Sequence, residues 1–176
     1  HTDHHVGRLV DTLRDLEILQ DTLIYVIIGD NGASAEGTLQ GSFNESLIFN
    51  GLDALETPEF LKAHIDEFGS PEAYNHYAVG WAHAMDTPYQ WTKQVASHWG
   101  GTRNGTIIHW PNGIKARGEV RSQFCHVIDV APTILEAAGI PEPTVVNSVQ
   151  QISLEGTSML YSFEDAKAPE RRETQY

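Results

Sequence analysis

An uninterrupted apolar run that ends in an acid and an amide constrains this chain more than any other feature. Residues 23–28 read LIYVII, a pattern typical of a strand buried on both faces of a sheet. The preceding residues 3–19 carry apolar side chains at helical spacing. A helix followed by such a strand is half of an α/β unit. We therefore predict an α/β fold with a central, mostly parallel sheet flanked by helices.

The strand run is followed directly by Gly29, Asp30, Asn31 and Gly32. In open α/β sheets, ligands bind just beyond the carboxyl ends of the strands, which favours Asp30 and Asn31 as ligand-binding residues. Asp-Asn-Gly is also a common turn sequence. From these residues alone, a strand-ending turn and a ligand site both remain open.

The rest of the chain predicts further helices, loops and one more strand. They are an irregular loop over 33–55, a helix capped by Thr57 and ended by Gly69, an aromatic-rich packed loop over 70–91, a strand over 106–110, and a helix capped by Asp129 and ended by Gly139. The helical pattern is already running at His1 without a capping signal before it. We therefore expect residues 1–176 to be a partial domain, truncated at both ends.

Composition narrows the classes of partner. The formal net charge of −13 disfavours nucleic acid and anionic lipid as partners, and no apolar run is long enough to span a membrane. The single cysteine, Cys125, excludes an internal disulfide, and we expect it to be a small buried hydrophobe.

Nine histidines raise the question of a metal or acid–base site. We interpret His1, His4 and His5 as a polar helix face. Histidines 76, 83 and 98 lie in or near the aromatic-rich segment, where acid–base chemistry and simple packing both remain open, so we assign them no role.

Four segments together resemble the sulfatase family of the alkaline-phosphatase-like superfamily. They read DHHVGRLVDTL (3–13), IIGDNG (27–32), WTKQVASHWGGTRNG (91–105) and CHVIDVAPTILEAAGI (125–140). Their order and spacing are similar to the C-terminal part of an arylsulfatase catalytic domain, and residues 74–105 are similar to a group of bacterial arylsulfatases.

This resemblance implies calcium-dependent hydrolysis of small-molecule sulfate esters by a formylglycine, which forms from a Cys or Ser in a Cys/Ser-x-Pro-x-Arg motif. Asp30 and Asn31 match the family's calcium ligands, and Lys93 matches the catalytic lysine that binds the sulfate. His98 is the nearest alternative sulfate contact. The residue chemistry agrees, since calcium prefers carboxylate and amide oxygens and an ammonium group suits a sulfate oxyanion.

The nucleophile motif does not occur in the 176 residues. We therefore expect the formylglycine upstream on a longer parent chain, and we expect the isolated segment to be inactive and to bind calcium weakly. Two alternatives stay open: a phosphate or phosphonate ester hydrolase of the same superfamily, and a non-catalytic sulfatase-like binding protein. Asn31 favours the sulfatase, because relatives that use two transition metals carry a histidine at this position. The sulfate ester, the compartment and the oligomeric state stay open.

Overall fold

A computed structural model describes residues 1–29 and 32–175, which form two compact units. The first unit contains residues 1–24 and 109–175, and the second contains the described part of residues 25–108. The predicted ligands Asp30 and Asn31 lie outside the described residues.

Within the described residues, the chain forms five α-helices and four short β-strands. They are α1 (Thr2–Asp15), β1 (Ile24–Ile28), α2 (Glu45–Phe49), α3 (Pro58–Ala63), α4 (Val79–Asp86), β2 (Gly105–His109), α5 (Val130–Ala138), β3 (Val145–Val146) and β4 (Val149–Gln150). Strand β1 pairs with β2, and β3 pairs antiparallel with β4. The predicted helix–strand pair at the start of the chain is confirmed as α1 and β1. The central, mostly parallel sheet stays a prediction.

The expectation that β1 is buried on both faces is wrong for the described structure. None of its residues is buried, and Ile28 is 63% exposed. Burial on both faces requires layers packed above and below a sheet of several strands. Among the described residues β1 has a single neighbouring strand, β2, so its branched side chains remain partly exposed to solvent.

Two helices interrupt segments that the sequence predicted as loops. Helix α2 lies within residues 33–55, where the Asn44 side chain accepts a hydrogen bond from the Ser46 amide at 3.0 Å. Helix α4 lies within residues 70–91, and the apolar residues of its sequence VGWAHAMD are spread around the helix, so it lacks the apolar stripe by which a helix is recognised. The predicted Thr57 cap is confirmed, with Phe60 N donating to Thr57 Oγ1 at 3.2 Å, although α3 ends before Gly69.

Helix α5 ends where the sequence predicts, with Gly139 in the left-handed region (φ 66°). The predicted capping role of Asp129 needs correction. Asp129 occupies the N-cap position, but its side chain makes no capping hydrogen bond to α5. The physical reason is that Asp129 also ends a 3-10 turn (Val127–Asp129), and its carboxylate accepts a hydrogen bond from the His126 amide at 2.8 Å.

Two further expectations concern side chains and length. Cys125 is exposed, so its prediction as a buried hydrophobe is wrong. His1, His4 and His5 lie exposed on or beside α1, as predicted. Among the described helices, none has the length and apolar character needed to cross a membrane.

Candidate active site

Residues 32–34, which follow Asp30 and Asn31 in the sequence, are anchored by side chains from distant parts of the second unit. Three of their amides donate hydrogen bonds: Gly32 N to Asn104 Oδ1 (3.1 Å), Ala33 N to Asp86 Oδ1 and Oδ2 (3.1 and 3.2 Å), and Ser34 N to Tyr77 Oη (3.1 Å). These acceptors lie 43 to 72 residues away along the chain. The segment after the predicted calcium ligands is therefore held by tertiary contacts and is more than a local turn.

The backbone of Lys93 lies against this same segment. Lys93 N donates to Ala33 O at 3.0 Å. Gly32 has φ 88°, and a Cβ added there would overlap the carbonyl group of Gly100 and lie 3.1 Å from Lys93 N. Only glycine combines this dihedral angle with such close approach. Gly32 thus allows the segments that carry Lys93 and the Gly100-Gly101 pair to meet the end of the GDNG motif.

The Lys93 side chain forms an ion pair with a residue that the sequence analysis did not single out. Its Nζ lies 3.2 Å from Glu36 Oε2, and the two side chains are 32% and 31% exposed. Among residues 1–29 and 32–175, Glu36 is the acceptor that this ammonium contacts. An ammonium group has three N–H donors, and the described part of the chain supplies an acceptor for one of them.

Glu36 is itself held in a small network. Its Oε2 accepts a hydrogen bond from Ser34 Oγ at 2.6 Å, and its Oε1 accepts one from Gln94 Nε2 at 2.9 Å. The Ser34 hydrogen bond, followed by the Lys93 ammonium, holds the pKa of Glu36 below its ordinary value. Glu36 is therefore a carboxylate at neutral pH, and its contact with Lys93 is a true ion pair.

Two of the three histidines that the sequence left open have local partners. His98 Nδ1 lies 2.9 Å from Ser97 Oγ, and His76 Nδ1 lies 3.0 Å from the carbonyl oxygen of Tyr77. His83 is exposed on α4. The roles of all three histidines stay open.

An open depression of about 500 Å³ lies beside His98. Its lining residues come from two neighbouring loops: Pro88, Tyr89, Gln90, Ser97, His98 and Trp99. The Arg103 guanidinium packs over the Trp99 ring, 3.9 Å from its centroid, and lies within 3.4 Å of Tyr89 Oη. Arg103 thus fixes the aromatic wall of the depression.

Oxygen donors are the chemistry that this region offers a metal ion. Asp30 and Asn31 would supply one carboxylate and one amide oxygen, a donor set that fits calcium better than zinc. The Asp86 carboxylate accepts hydrogen bonds from Ala33 N. Across residues 1–29 and 32–175, no group of three or more His, Cys, Asp or Glu side chains is arranged to hold a metal ion.

Sequence reasoning missed the residues that anchor this region, of which Glu36, Asp86 and Asn104 supply the carboxylate and amide oxygens. Asp86 and Asn104 act on backbone amides 53 and 72 residues away, so no local pattern identifies them. Glu36 follows Asn31 by five positions, and an acid close to a predicted anion site is the signal that could have found it.

The comparisons with known proteins support the family resemblance that the four sequence segments indicated. A family model described as Sulfatase matches residues 1–140. An arylsulfatase from Klebsiella aerogenes is 33% identical over 141 residues, which cover 78% of this chain and 27% of that protein. An uncharacterized sulfatase from Schizosaccharomyces pombe is 29% identical over 141 residues, covering 80% of this chain and 24% of that protein.

The chain therefore spans about a quarter of the length of these two relatives. The family model, in contrast, covers most of the chain and includes the GDNG motif, Lys93 and helix α5. The family has an alkaline-phosphatase-like α/β fold, which agrees with the predicted fold class at that level. On this match, the chain belongs to the sulfatase family.

Proposed function

We propose that this chain is the C-terminal portion of a sulfuric ester hydrolase domain, arylsulfatase-like, that cleaves sulfate esters in a longer parent protein. The observation that carries the proposal is the position of Lys93. Its half-buried ammonium lies 3.2 Å from Glu36, and its backbone N–H donates a hydrogen bond to Ala33. A cation held against residues 32–33, directly after the predicted ligands in the sequence, suits a tetrahedral oxyanion.

The residues of this chain have separate roles in the proposal. Lys93 binds a sulfate oxygen and stabilises negative charge that develops on the ester during cleavage. Asp30 and Asn31 hold a calcium ion, which supplies Lewis-acid polarisation of the sulfuryl group when bound, while the formylglycine nucleophile comes from outside this segment. Gly32 allows residues 32–33, which follow these ligands in the sequence, to contact the Lys93 segment.

The first test is peptide mass spectrometry on the full-length protein from its native source. A formylglycine in a Cys/Ser-x-Pro-x-Arg peptide supports the sulfatase. An unmodified Ser or Thr nucleophile, with turnover of an aryl phosphate above that of an aryl sulfate, would favour the phosphate or phosphonate ester hydrolase. A parent chain without any nucleophile would identify a non-catalytic relative.

Removal of the metal by a chelator tests the proposed calcium ion. Removing calcium from the full-length protein with EGTA is expected to lower the hydrolysis rate of an aryl sulfate at least ~100-fold, because a metal Lewis acid contributes several kcal/mol to charge stabilisation. Calcium should restore the rate, and zinc should not, since Asn31 offers an amide oxygen. Restoration by zinc or manganese alone would contradict the calcium assignment.

A further inference from the structure

We propose that Glu36 is a positioning residue for Lys93, which fixes the direction of the lysine ammonium so that its remaining donors face the sulfate group; this inference rests on the proposed function. Glu36 does not need to contact the substrate for this role. It acts through the lysine, at the 3.2 Å contact between Oε2 and Nζ.

The carboxylate is suited to the task because both of its oxygens accept hydrogen bonds from side chains other than that of Lys93. Ser34 Oγ donates to Oε2 and Gln94 Nε2 donates to Oε1. The amide of Glu36 donates in turn to Ser34 Oγ at 3.3 Å. A group held at both oxygens and at its own backbone can restrain a flexible lysine, whose side chain has large rotamer freedom.

The backbone geometry connects this network to the candidate site. Lys93 N is bound to Ala33 O, and Ser34 is bound to Tyr77 through its own amide. The lysine is therefore fixed at two points, its backbone by Ala33 and its ammonium by Glu36. One N–H of the ammonium binds Glu36, and no acceptor within residues 1–29 and 32–175 takes the other two, which we assign to the oxygens of a sulfate ester.

Glu36 could also oppose the substrate, because both are negatively charged. The carboxylate is about one third exposed, and its oxygens accept hydrogen bonds from Ser34, Lys93 and Gln94. Repulsion of an anion beyond the lysine is therefore screened. We therefore expect loss of Glu36 to weaken catalysis through loss of lysine ordering.

The test is a double-variant cycle in the full-length protein, with Glu36→Gln and Lys93→Ala separately and together. Glu36→Gln is expected to lower kcat/KM for an aryl sulfate about tenfold when Lys93 is present and less than about twofold in the Lys93→Ala background. Equal losses in the two backgrounds would overturn the inference, since a purely structural role does not depend on the lysine. No loss in either background would overturn it as well.

A matched control exists elsewhere in the same unit. Glu72 forms the same local pair with Ser70, in which Ser70 Oγ donates to Glu72 Oε2 at 2.9 Å and the Glu72 amide donates back at 3.3 Å. Glu72 is exposed and has no lysine partner among the described residues. Glu72→Gln should leave kcat/KM unchanged, whereas Glu36→Asp, which keeps a carboxylate, should recover part of the activity that Glu36→Gln loses.

Binding of inorganic sulfate gives a second readout. It is measured by calorimetry on the wild type, the two single variants Glu36→Gln and Lys93→Ala, and the double variant. Glu36→Gln should raise the Kd for sulfate about tenfold only when Lys93 is present. A full-length protein that binds sulfate in this pattern but hydrolyses no sulfate ester would contradict the proposed function and support the positioning role. A full-length protein that hydrolyses sulfate esters, but in which Glu36→Gln changes the Kd for sulfate equally with and without Lys93, would support the proposed function and contradict the positioning role.

Discussion

Replacing Asp129 by alanine is expected to lower the free energy of unfolding by about 3–5 kcal/mol, the cost of removing one partner from a buried ion pair. Asp129 is 1% exposed, and the Arg172 side chain is 9% exposed. Arg172 donates to both carboxylate oxygens, from Nε to Oδ2 at 3.1 Å and from Nη2 to Oδ1 at 2.5 Å. The substitution leaves this guanidinium buried without its counter-charge.

The same carboxylate ties the end of the chain to the start of α5. The Thr157 amide donates to Asp129 Oδ1 at 2.7 Å. Thr133 reinforces the junction, because its hydroxyl donates to Asp129 O at 2.6 Å and accepts from Met159 N at 2.8 Å. Loss of Asp129 should therefore release residues 155–175 before the rest of this unit unfolds.

Urea unfolding and limited trypsin digestion would measure the two consequences. Asp129→Ala should lower the unfolding midpoint and speed cleavage after Arg171 or Arg172. The control is Asp165→Ala, since the Asp165 side chain is exposed and, among the described residues, accepts a hydrogen bond from the Lys167 amide at 2.8 Å and forms no ion pair. Similar losses in both variants would contradict the role of the buried pair. Asp129→Ala with Arg172→Met should be less unstable than the sum of the single changes, with a coupling of about 1–3 kcal/mol.

The pH dependence of stability follows from the same group. Burial raises the pKa of Asp129, but hydrogen bonds from Arg172, Thr157 and His126 outweigh it and hold the pKa below its ordinary value. A depressed carboxyl pKa stabilises the fold fully above the unfolded-state value, roughly pH 4, and this contribution is lost as pH falls through the folded-state value. The stability difference between the wild type and Asp129→Asn should thus be constant near neutral pH and shrink below about pH 4. A difference that persists into strong acid would contradict this.

Asp129 also shows what a sequence can and cannot reveal. Its position before α5 and the Gly139 stop are local signals, and both are confirmed. Its carboxylate, however, binds Arg172, which lies 43 residues away. A contact at that distance is decided by tertiary packing, which leaves no periodic trace in the chain. Helix α4 shows a second limit, because its apolar residues are spread around the helix and form no stripe that the sequence pattern could reveal.

The residues of the candidate site also fall into those that the sequence predicts and those that only the structure reveals. The GDNG motif and Lys93 were found because the family pattern fixes them in order along the chain. The groups that hold them came only from the structure. Gly32 could be predicted as a turn residue, but its approach to Gly100 depends on how two distant loops pack. Glu36 lies close in sequence, yet its partner Lys93 is 57 residues away.

Lys93→Ala is expected to lower kcat/KM for an aryl sulfate by about 100- to 1,000-fold in the full-length protein, the range for removing one preorganised donor from a developing oxyanion. The fold should survive, because the lysine is about one third exposed and its backbone bond to Ala33 does not depend on the side chain. Circular dichroism and the unfolding midpoint would check this.

Lys62→Ala provides the matched control, because Lys62 is exposed near the end of α3 and its loss should leave the rate unchanged. Retention of the full rate by Lys93→Ala would contradict the assignment and transfer the test to His98→Ala, since His98 lies near the same Gly-Gly turn. A matching fall in the rate and in the affinity for inorganic sulfate would place Lys93 on the sulfate group itself. A fall in both Lys93→Ala and Lys62→Ala would instead indicate that the general loss of positive charge from this acidic protein slows the anionic substrate.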